Sequence, residues 1–539
     1  MSPSSPAETR IIICDELDPA ATRILHQAGF EPEVRLGMTE DELVEQVKGA
    51  HALLVRSATK VPRRVLEAAD CLELVGRAGV GVDNVDCVAA TEQGVIVMNT
   101  PTGNTTTTGE LAIALLTSIA RHIPRADRMT RAGTWKKKTL TGTELTGKTL
   151  GVIGLGRIGA VVAERAQGLK MEVIAFDPYL SKTGAGSPVS GVQLVELDEL
   201  LERSDFVTLH VPLMEETRNL ISKERIAQMK PGARLINAAR GGLVDEAALA
   251  EALESGHLAG AALDVLAEEP PSAQHPLLGR EDVILTPHLG ASSHEAQLNV
   301  ALGIAEQVVT YFKDGVPHNA VNAPAVSAQT LREIRHHLVL AEKMGSFLAQ
   351  RMLEPIKKIE FTVSGDIAKH EHYLSLAFLA AVLRQSLDIG VNFVNAPLLA
   401  KERGIRLLEG SDGSPHFFTS LVRARVSSKG NEETHLVAGT VFGEHPRFVR
   451  IDNVHVDIGP RGTMLITRHN DMPGVLGKLG TILGEHGVNI MRMELGPPTE
   501  KTEDKASAFL TLGDRPNDEV IAEIENYEPI EFVQLIDLS

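Results

Sequence analysis

The chain has 539 residues, and at roughly 150 residues per domain it holds three or four globular units rather than one core. Apolar residues at 43% and charged residues at 23% exclude wholesale disorder and fibrous repeats. The 71 acidic against 53 basic side chains leave a net charge of -18, the wrong sign for broad attraction to nucleic acid or anionic lipid, so any anion must be held by a local basic pocket.

Cys14, Cys71 and Cys87 show neither metal-ligand spacing nor a disulfide framework, which fits a reducing cytoplasm. MSPSSPAETR has no apolar run behind its arginine, and LAIALLTSIA and LSLAFLAAVL fall short of the ~18 residues a membrane span needs. No export, membrane insertion, metal site or nucleic-acid partner is expected.

After a polar tail of roughly eight residues, the β-branched runs RIIICDEL, ALLVRSA, LELVGRAG and VIVMNTP alternate with amphipathic stretches, predicting βα units and a parallel sheet. From Asn104 to about Ala120 the pattern becomes one apolar helix. A second β/α series follows in TLGVIGLG, EVIAFD, DFVTLHVP, ARLINAAR, AGAALDV and DVILTPHLG, so two doubly wound units abut. A helix over 293–312 ends near GVPHNAVNAP, whose Gly, Pro and Asn residues read as a linker. Residues 327–455 predict an α+β domain: a helix over 331–352, the strand KIEFTVSG, an apolar helix over 373–387, then alternating strands such as HLVAGTVFG and RFVRIDNVHVDI. From Met464 the order is strand, helix, strand, strand, helix, strand, with Pro473 and Gly474 opening the first helix, a ferredoxin-like unit.

TLGVIGLGRIGAVVAERA sets Gly154, Gly156 and Gly159 between an apolar strand and a helix. The first glycine permits the tight turn, the second lets a pyrophosphate approach the backbone, the third lets helix and strand pack, and the helix start offers free N–H groups. Asp177, ending the next strand, suits two ribose hydroxyls and repels a 2′-phosphate, which favours NAD over NADP. The competing reading is an ordinary glycine turn with an exposed acid.

Asp177, His210, Arg240, Asp264 and His288 each fall at or just past the carboxyl end of a separate strand, where open parallel sheets bind ligands. Arg240, between a strand and two glycines, can grip a planar carboxylate or polarise a carbonyl, or else caps the following helix. His288 stands between strand and helix as a proton-transfer imidazole does. Glu269, in LAEEPP, can accept its second N–H, fixing the tautomer and stabilising the imidazolium; otherwise it is a loop acid stiffened by Pro270 and Pro271.

Five segments in order resemble the successive signatures of the D-2-hydroxyacid dehydrogenase family: GRAGVGVDNVD at 76–86, GLGRIG at 154–159, NAARGGLVDE at 237–246, ALDVLAEEPP at 262–271 and TPHLGAS at 286–292. The two tail domains resemble those of its long form, which acts on 3-phospho-D-glycerate. The resemblance implies Arg240, Glu269 and His288 as the catalytic trio. It implies an NAD site of Val80, Gly154, Gly156, Arg157, Ile158, Gly159, Asp177, His210, Val211, Pro212, Ala238, Ala239, Arg240, Asp264, His288, Gly290 and Ala291, with Val211 where some relatives carry threonine. Arg56, Ser57, Val80, Gly81 and Arg240 are its expected substrate contacts, with Lys136, Lys137 or Lys138 on the phosphate unless that run is a solvated basic loop.

The implied fold class is α/β: two doubly wound parallel-sheet (Rossmann/flavodoxin-like) domains, an α+β intervening domain and a ferredoxin-like ACT domain. The expected domains are a discontinuous substrate-binding domain over 1–102 and 294–322, an NAD domain over 103–293, an intervening domain over 327–455 and an ACT domain over 462–539. In the last, RHNDMPGVLGKLGTILGEHGVNI places His469, Asp471 and Asn489 where L-serine is expected at a domain interface; a pairing module without ligand is the alternative. Arg447 and Arg450, with His445 and Lys429, make either an anion site or an exposed basic strand edge. The implied activity is NAD-dependent oxidation of 3-phospho-D-glycerate to 3-phosphooxypyruvate, at the head of serine biosynthesis and inhibited by serine, in a cytoplasmic homodimer or homotetramer. Two rivals are another D-2-hydroxyacid dehydrogenase acting on glyoxylate or hydroxypyruvate, and an NAD-sensing corepressor-like protein-binding module, a class that lacks an ACT-like tail.

Overall fold

A computed structural model describes residues 8–324, 326–387, 390–412, 418–496 and 505–539. Most of the polar N-terminal tail therefore lies outside the described residues. Four sheets follow one another along the chain. The first is wholly parallel, in the spatial order Glu33–Val34, Ile11–Ile13, Ala52–Val55, Leu74–Arg77, Ile96–Asn99. This is the flavodoxin-like 2-1-3-4-5 winding. Its apolar strands bury both faces, as a parallel sheet sandwiched between helices must.

The helix Thr105–Ala120 then leads to a second, seven-stranded parallel sheet, ordered Val283–Leu285, Gly260–Leu263, Arg234–Asn237, Phe206–Leu209, Thr149–Ile153, Glu172–Phe176, Gln193–Leu194. The order reverses at Thr149–Ile153, so a crevice opens at the carboxyl ends of that strand and Phe206–Leu209. The returning helix His294–Asp314 buries Val300, Ile304, Val308 and Phe312 against the first sheet, whose core is thus completed from beyond the second sheet.

The segment read as a linker is held in place. Ile96–Asn99 is an edge strand with unpaired backbone groups, and the returning chain satisfies them: Val321 donates to the Val97 carbonyl at 2.7 Å, Met98 bridges Ala320, and the Asn322 side-chain oxygen accepts the Val97 N–H at 2.8 Å.

The third sheet is mixed, ordered Arg406–Asp412, Lys358–Gly365, Ser420–Ser427, Thr434–Phe442, His445–Ile451, Val454–Ile458, and is backed by the helices Ala328–Arg351 and Glu371–Arg384. RFVRIDNVHVDI is two strands, because Asp452 takes a left-handed conformation (φ 49°) in the tight turn between them. The fourth sheet is antiparallel, ordered Ile490–Gly496, Lys505–Leu512, Gly462–Asn470, Ile530–Leu538, with the helices Val475–Glu485 and Asp518–Glu525. Met464, Ile466, Phe509, Ile536 and Leu538 of this unit join Leu340, Phe347 and Phe448 of the preceding one in a single core.

Candidate active site

Between the first two sheets lies a cleft of about 250 Å³. Its wall carries Val80, Gly81, Ile158, His210, Val211, Pro212, Ala238, Ala239, Arg240, His288, Gly290 and Ala291, together with Arg77, Asp83, Asn104 and Thr108. The strand ends bring these together. Arg240 follows Arg234–Asn237, and the buried Asn237 shapes its turn, donating to the Arg240 carbonyl at 2.8 Å and accepting from the Ala239 N–H at 3.0 Å. The Arg240 guanidinium reaches across the cleft: Nε donates to Asp83 at 3.0 Å and Nη1 to the Ala239 carbonyl at 2.7 Å. Gly81 leaves the room for this, since a Cβ there would lie 1.9 Å from Arg240 Nη2.

His288 sits in a left-handed conformation (φ 54°), uncommon for a side chain of its size and of the kind found at functional turns. Asp264 holds that turn. Its carboxylate accepts from the Thr286 hydroxyl, from the Leu289 N–H at 2.7 Å and from the Gly290 N–H at 2.9 Å, while its backbone carbonyl accepts from the His288 N–H at 2.9 Å. Burial lifts the Asp264 carboxyl above its ordinary value, and those hydrogen bonds pull the other way. Asp264 is therefore a scaffold beneath the cleft and not part of its wall. With the turn fixed, His288 Nδ1 meets Glu269 Oε2 at 2.8 Å, and Glu269 Oε1 accepts the Leu266 N–H at 3.1 Å. A carboxylate on Nδ1 leaves Nε2 for a ligand.

The glycine turn fits a dinucleotide. Gly154 has φ 92° and lies hard against the His210 carbonyl; a Cβ on Gly159 would sit 2.0 Å from the Gly154 carbonyl oxygen. Gly156, by contrast, has open space where its Cβ would be, a surface a pyrophosphate can approach, at the start of the helix Arg157–Gly168. Arg157 is exposed beside it. Asp177 accepts from the Leu155 N–H at 3.0 Å and from the Tyr179 and Leu180 N–H groups at 3.0 and 3.2 Å. It thus ties the glycine turn to the next helix while Oδ2, which accepts only from Leu155, keeps a lone pair for a ribose hydroxyl. His210 Nδ1 is buried without a partner among the described residues, and its Nε2 lies 3.0 Å from the Thr208 hydroxyl. Burial pushes its pKa down to about 4, so this ring is neutral at pH 7.

Arg77, Asp83, Asn104 and Thr108 were not singled out from sequence. Arg77 ends the strand Leu74–Arg77, and the same strand-end rule identifies it. Burial, then the Arg240 charge, lowers it to about 10, so it stays cationic. The cleft thus sets two guanidinium groups against one carboxylate. Arg56 lies close enough for its charge to act on Arg77, and its Nη1 donates to the Glu16 carbonyl at 3.3 Å; neither Arg56 nor Ser57 lines the cleft. Lys136, Lys137 and Lys138 are exposed around the turn Lys137–Leu140, also outside that lining.

In the last sheet His469 is buried in Gly462–Asn470, with its pKa lowered by that burial, whereas Asp471 and Asn489 are exposed. In the third sheet Arg447 pairs with Asp457 at 3.3 Å and Arg450 Nε donates to the Asp452 carbonyl at 2.8 Å. Lys429 precedes Thr434–Phe442 and His445 follows it, so the two stand at opposite ends of a nine-residue strand, roughly 30 Å apart by strand rise, and do not form one anion site.

Residues 113–290 match the D-isomer specific 2-hydroxyacid dehydrogenase NAD-binding domain, 333–452 the D-3-phosphoglycerate dehydrogenase intervening domain, and 463–529 the ACT domain. The chain is 42% identical over 522 residues to a D-3-phosphoglycerate dehydrogenase of Archaeoglobus fulgidus, covering 97% of this chain and 98% of the relative. It is 40% identical over 533 residues to that of Bacillus subtilis, covering 98% and 99%. Among solved structures, the TT0316 protein from Thermus thermophilus aligns with TM-score 0.53 at 36% identity over 58% of this chain and all of its own. A formate dehydrogenase from Staphylococcus aureus in complex with NAD aligns with TM-score 0.51 at 29% identity over 57% of this chain and 96% of its own.

Proposed function

The chain belongs to the D-3-phosphoglycerate dehydrogenase family, and on that premise we propose that it oxidises 3-phospho-D-glycerate to 3-phosphooxypyruvate with NAD, opening the phosphorylated route to L-serine. The observation that carries the reading is the 2.8 Å contact of His288 with Glu269 at a cleft made cationic by Arg240 and Arg77.

The glycine turn and Asp177 would hold NAD, which when bound would supply the acceptor for the hydride leaving C2. His288 takes the C2 hydroxyl proton at Nε2 as the alcohol becomes a ketone, and Glu269 stabilises the charge that forms on the ring. Arg240 holds the carboxylate or the developing carbonyl with its planar fork. We assign the phosphate to the side of the cleft lined by Arg77, on which the Arg56 charge acts from outside that lining. Closing the two lobes excludes water and strengthens each of these charge interactions.

The ACT segment is the expected seat of an L-serine effector, through the exposed Asp471 and Asn489, whereas His469 is buried. A cytoplasmic homodimer or homotetramer completes the proposal, and the three free cysteines fit such a compartment.

A spectrophotometric panel tests the reading. NADH formation is expected to saturate with 3-phosphoglycerate, to fail with unphosphorylated D-glycerate at the same concentration, and to fall when L-serine is added. Inertness toward phosphoglycerate with brisk reduction of glyoxylate or hydroxypyruvate contradicts the substrate, and rates indifferent to serine contradict the effector.

A further inference from the structure

We propose that Glu246 is a positioning residue for the Glu269–His288 pair. It opens the helix Glu246–Glu254, six residues after Arg240. An acid in a first helical turn serves the helix dipole from any exposed rotamer. This one is turned inward, its side chain only 14% exposed, and both oxygens are used. Oε1 accepts the Ala267 N–H at 2.7 Å and Oε2 meets His275 Nε2 at 2.8 Å. His275 Nδ1 lies 3.4 Å from the Leu277 N–H, which assigns the ring proton to Nε2 and makes that nitrogen the donor to Glu246.

One carboxylate therefore closes the segment 267–275 at both ends, with Glu269 inside it. The segment also abuts the Arg240 turn: a Cβ on Gly241 would lie 1.9 Å from the Leu266 carbonyl oxygen. Leu266 in turn donates to Glu269 Oε1 at 3.1 Å, and Glu269 Oε2 meets His288 at 2.8 Å. The chain of contacts from Glu246 through the backbone at 266–267 to Glu269 sets where the carboxylate stands beneath the imidazole. A displacement of about 1 Å in such a group is enough to lower turnover by roughly 100-fold.

The proposal rests on the proton-transfer reading of Glu269 and His288, and the test separates the two. Turnover and NADH binding are measured on the full chain as Glu246→Ala, Glu246→Gln, Glu269→Gln and the double variant Glu246→Ala/Glu269→Gln. Glu246→Ala is expected to lower kcat roughly 10- to 100-fold with substrate KM and NADH affinity within about 2-fold. Glu246→Gln, which keeps an oxygen for the Ala267 N–H, recovers most of that loss. In the Glu269→Gln background, Glu246→Ala costs less than about 2-fold, because the group it positions is already disabled. The same proportional loss in both backgrounds, or an unchanged kcat in Glu246→Ala, overturns the positioning role. Undiminished turnover in Glu269→Gln overturns the proton-transfer reading, and this proposal with it. If Glu246→Ala does not fold, the cycle is run with His275→Asn, which removes one arm of the clamp, and the same non-additivity decides.

Discussion

His210 shows how one residue's burial becomes a measurable property. Its ordinary pKa of 6.5 falls to about 4 in the folded chain, so between those values the unfolded chain binds a proton that the folded chain does not. The stability this neutral ring contributes is complete above pH 6.5, is lost as pH falls toward 4, and changes no further below, where both states are protonated. One proton of difference is a slope of about 1.4 kcal/mol per pH unit. Replacing His210 with Gln is expected to flatten the pH dependence of the unfolding free energy by about that much inside the window; an unaltered slope contradicts the assignment. His210 was legible in the sequence because it follows a strand directly, as Arg240 and His288 nearly do. Asp83 was not, because its partnership with Arg240 spans 157 positions and no local pattern announces it. Asp264 was legible as a strand-end acid, but its burial under the His288 turn is set by three hydrogen bonds that only the folded loop brings within reach.

At the scale of elements, the strand, glycine turn and helix over 149–168 form a unit whose geometry depends on missing side chains. Gly159→Ala would place a methyl group 2.0 Å from the Gly154 carbonyl oxygen, which is backbone and cannot swing aside. It is expected to cost about 1 to 3 kcal/mol of stability and to weaken NADH binding at least 10-fold. Affinity and melting temperature equal to those of the unaltered chain would show that helix and turn do not need this approach. The parallel sheets were legible because strands buried on both faces read as continuous β-branched runs bounded by turn residues. The strand Arg406–Asp412 was not: it is an edge strand, mostly exposed, with no apolar alternation to mark it. The bonding within GVPHNAVNAP was equally hidden, since Asn322 serves an edge strand more than 200 residues earlier and no local pattern announces that contact.

Across the whole molecule, the two tail units are physically continuous with the catalytic half. They share a core, and Arg351 straddles their boundary, donating to Gln534 at 2.6 Å, stacking over Phe532 at 4.7 Å and approaching Asp452 at 3.7 Å. Farther along, Asn392 Nδ2 donates to the Gly94 carbonyl at 2.7 Å and Val394 packs into the core of the first sheet. An effector that alters the packing of the last sheet thus has a route of direct contacts to the lobe opposite the NAD turn. The decisive measurement is made on the full-length His288→Asn variant, with phosphoglycerate-dependent NADH formation and NADH binding determined in parallel. Turnover is expected to fall by roughly 100- to 10,000-fold while NADH affinity stays within about 3-fold, since the asparagine cannot take the proton. Turnover close to that of the unaltered enzyme would contradict proton transfer by His288.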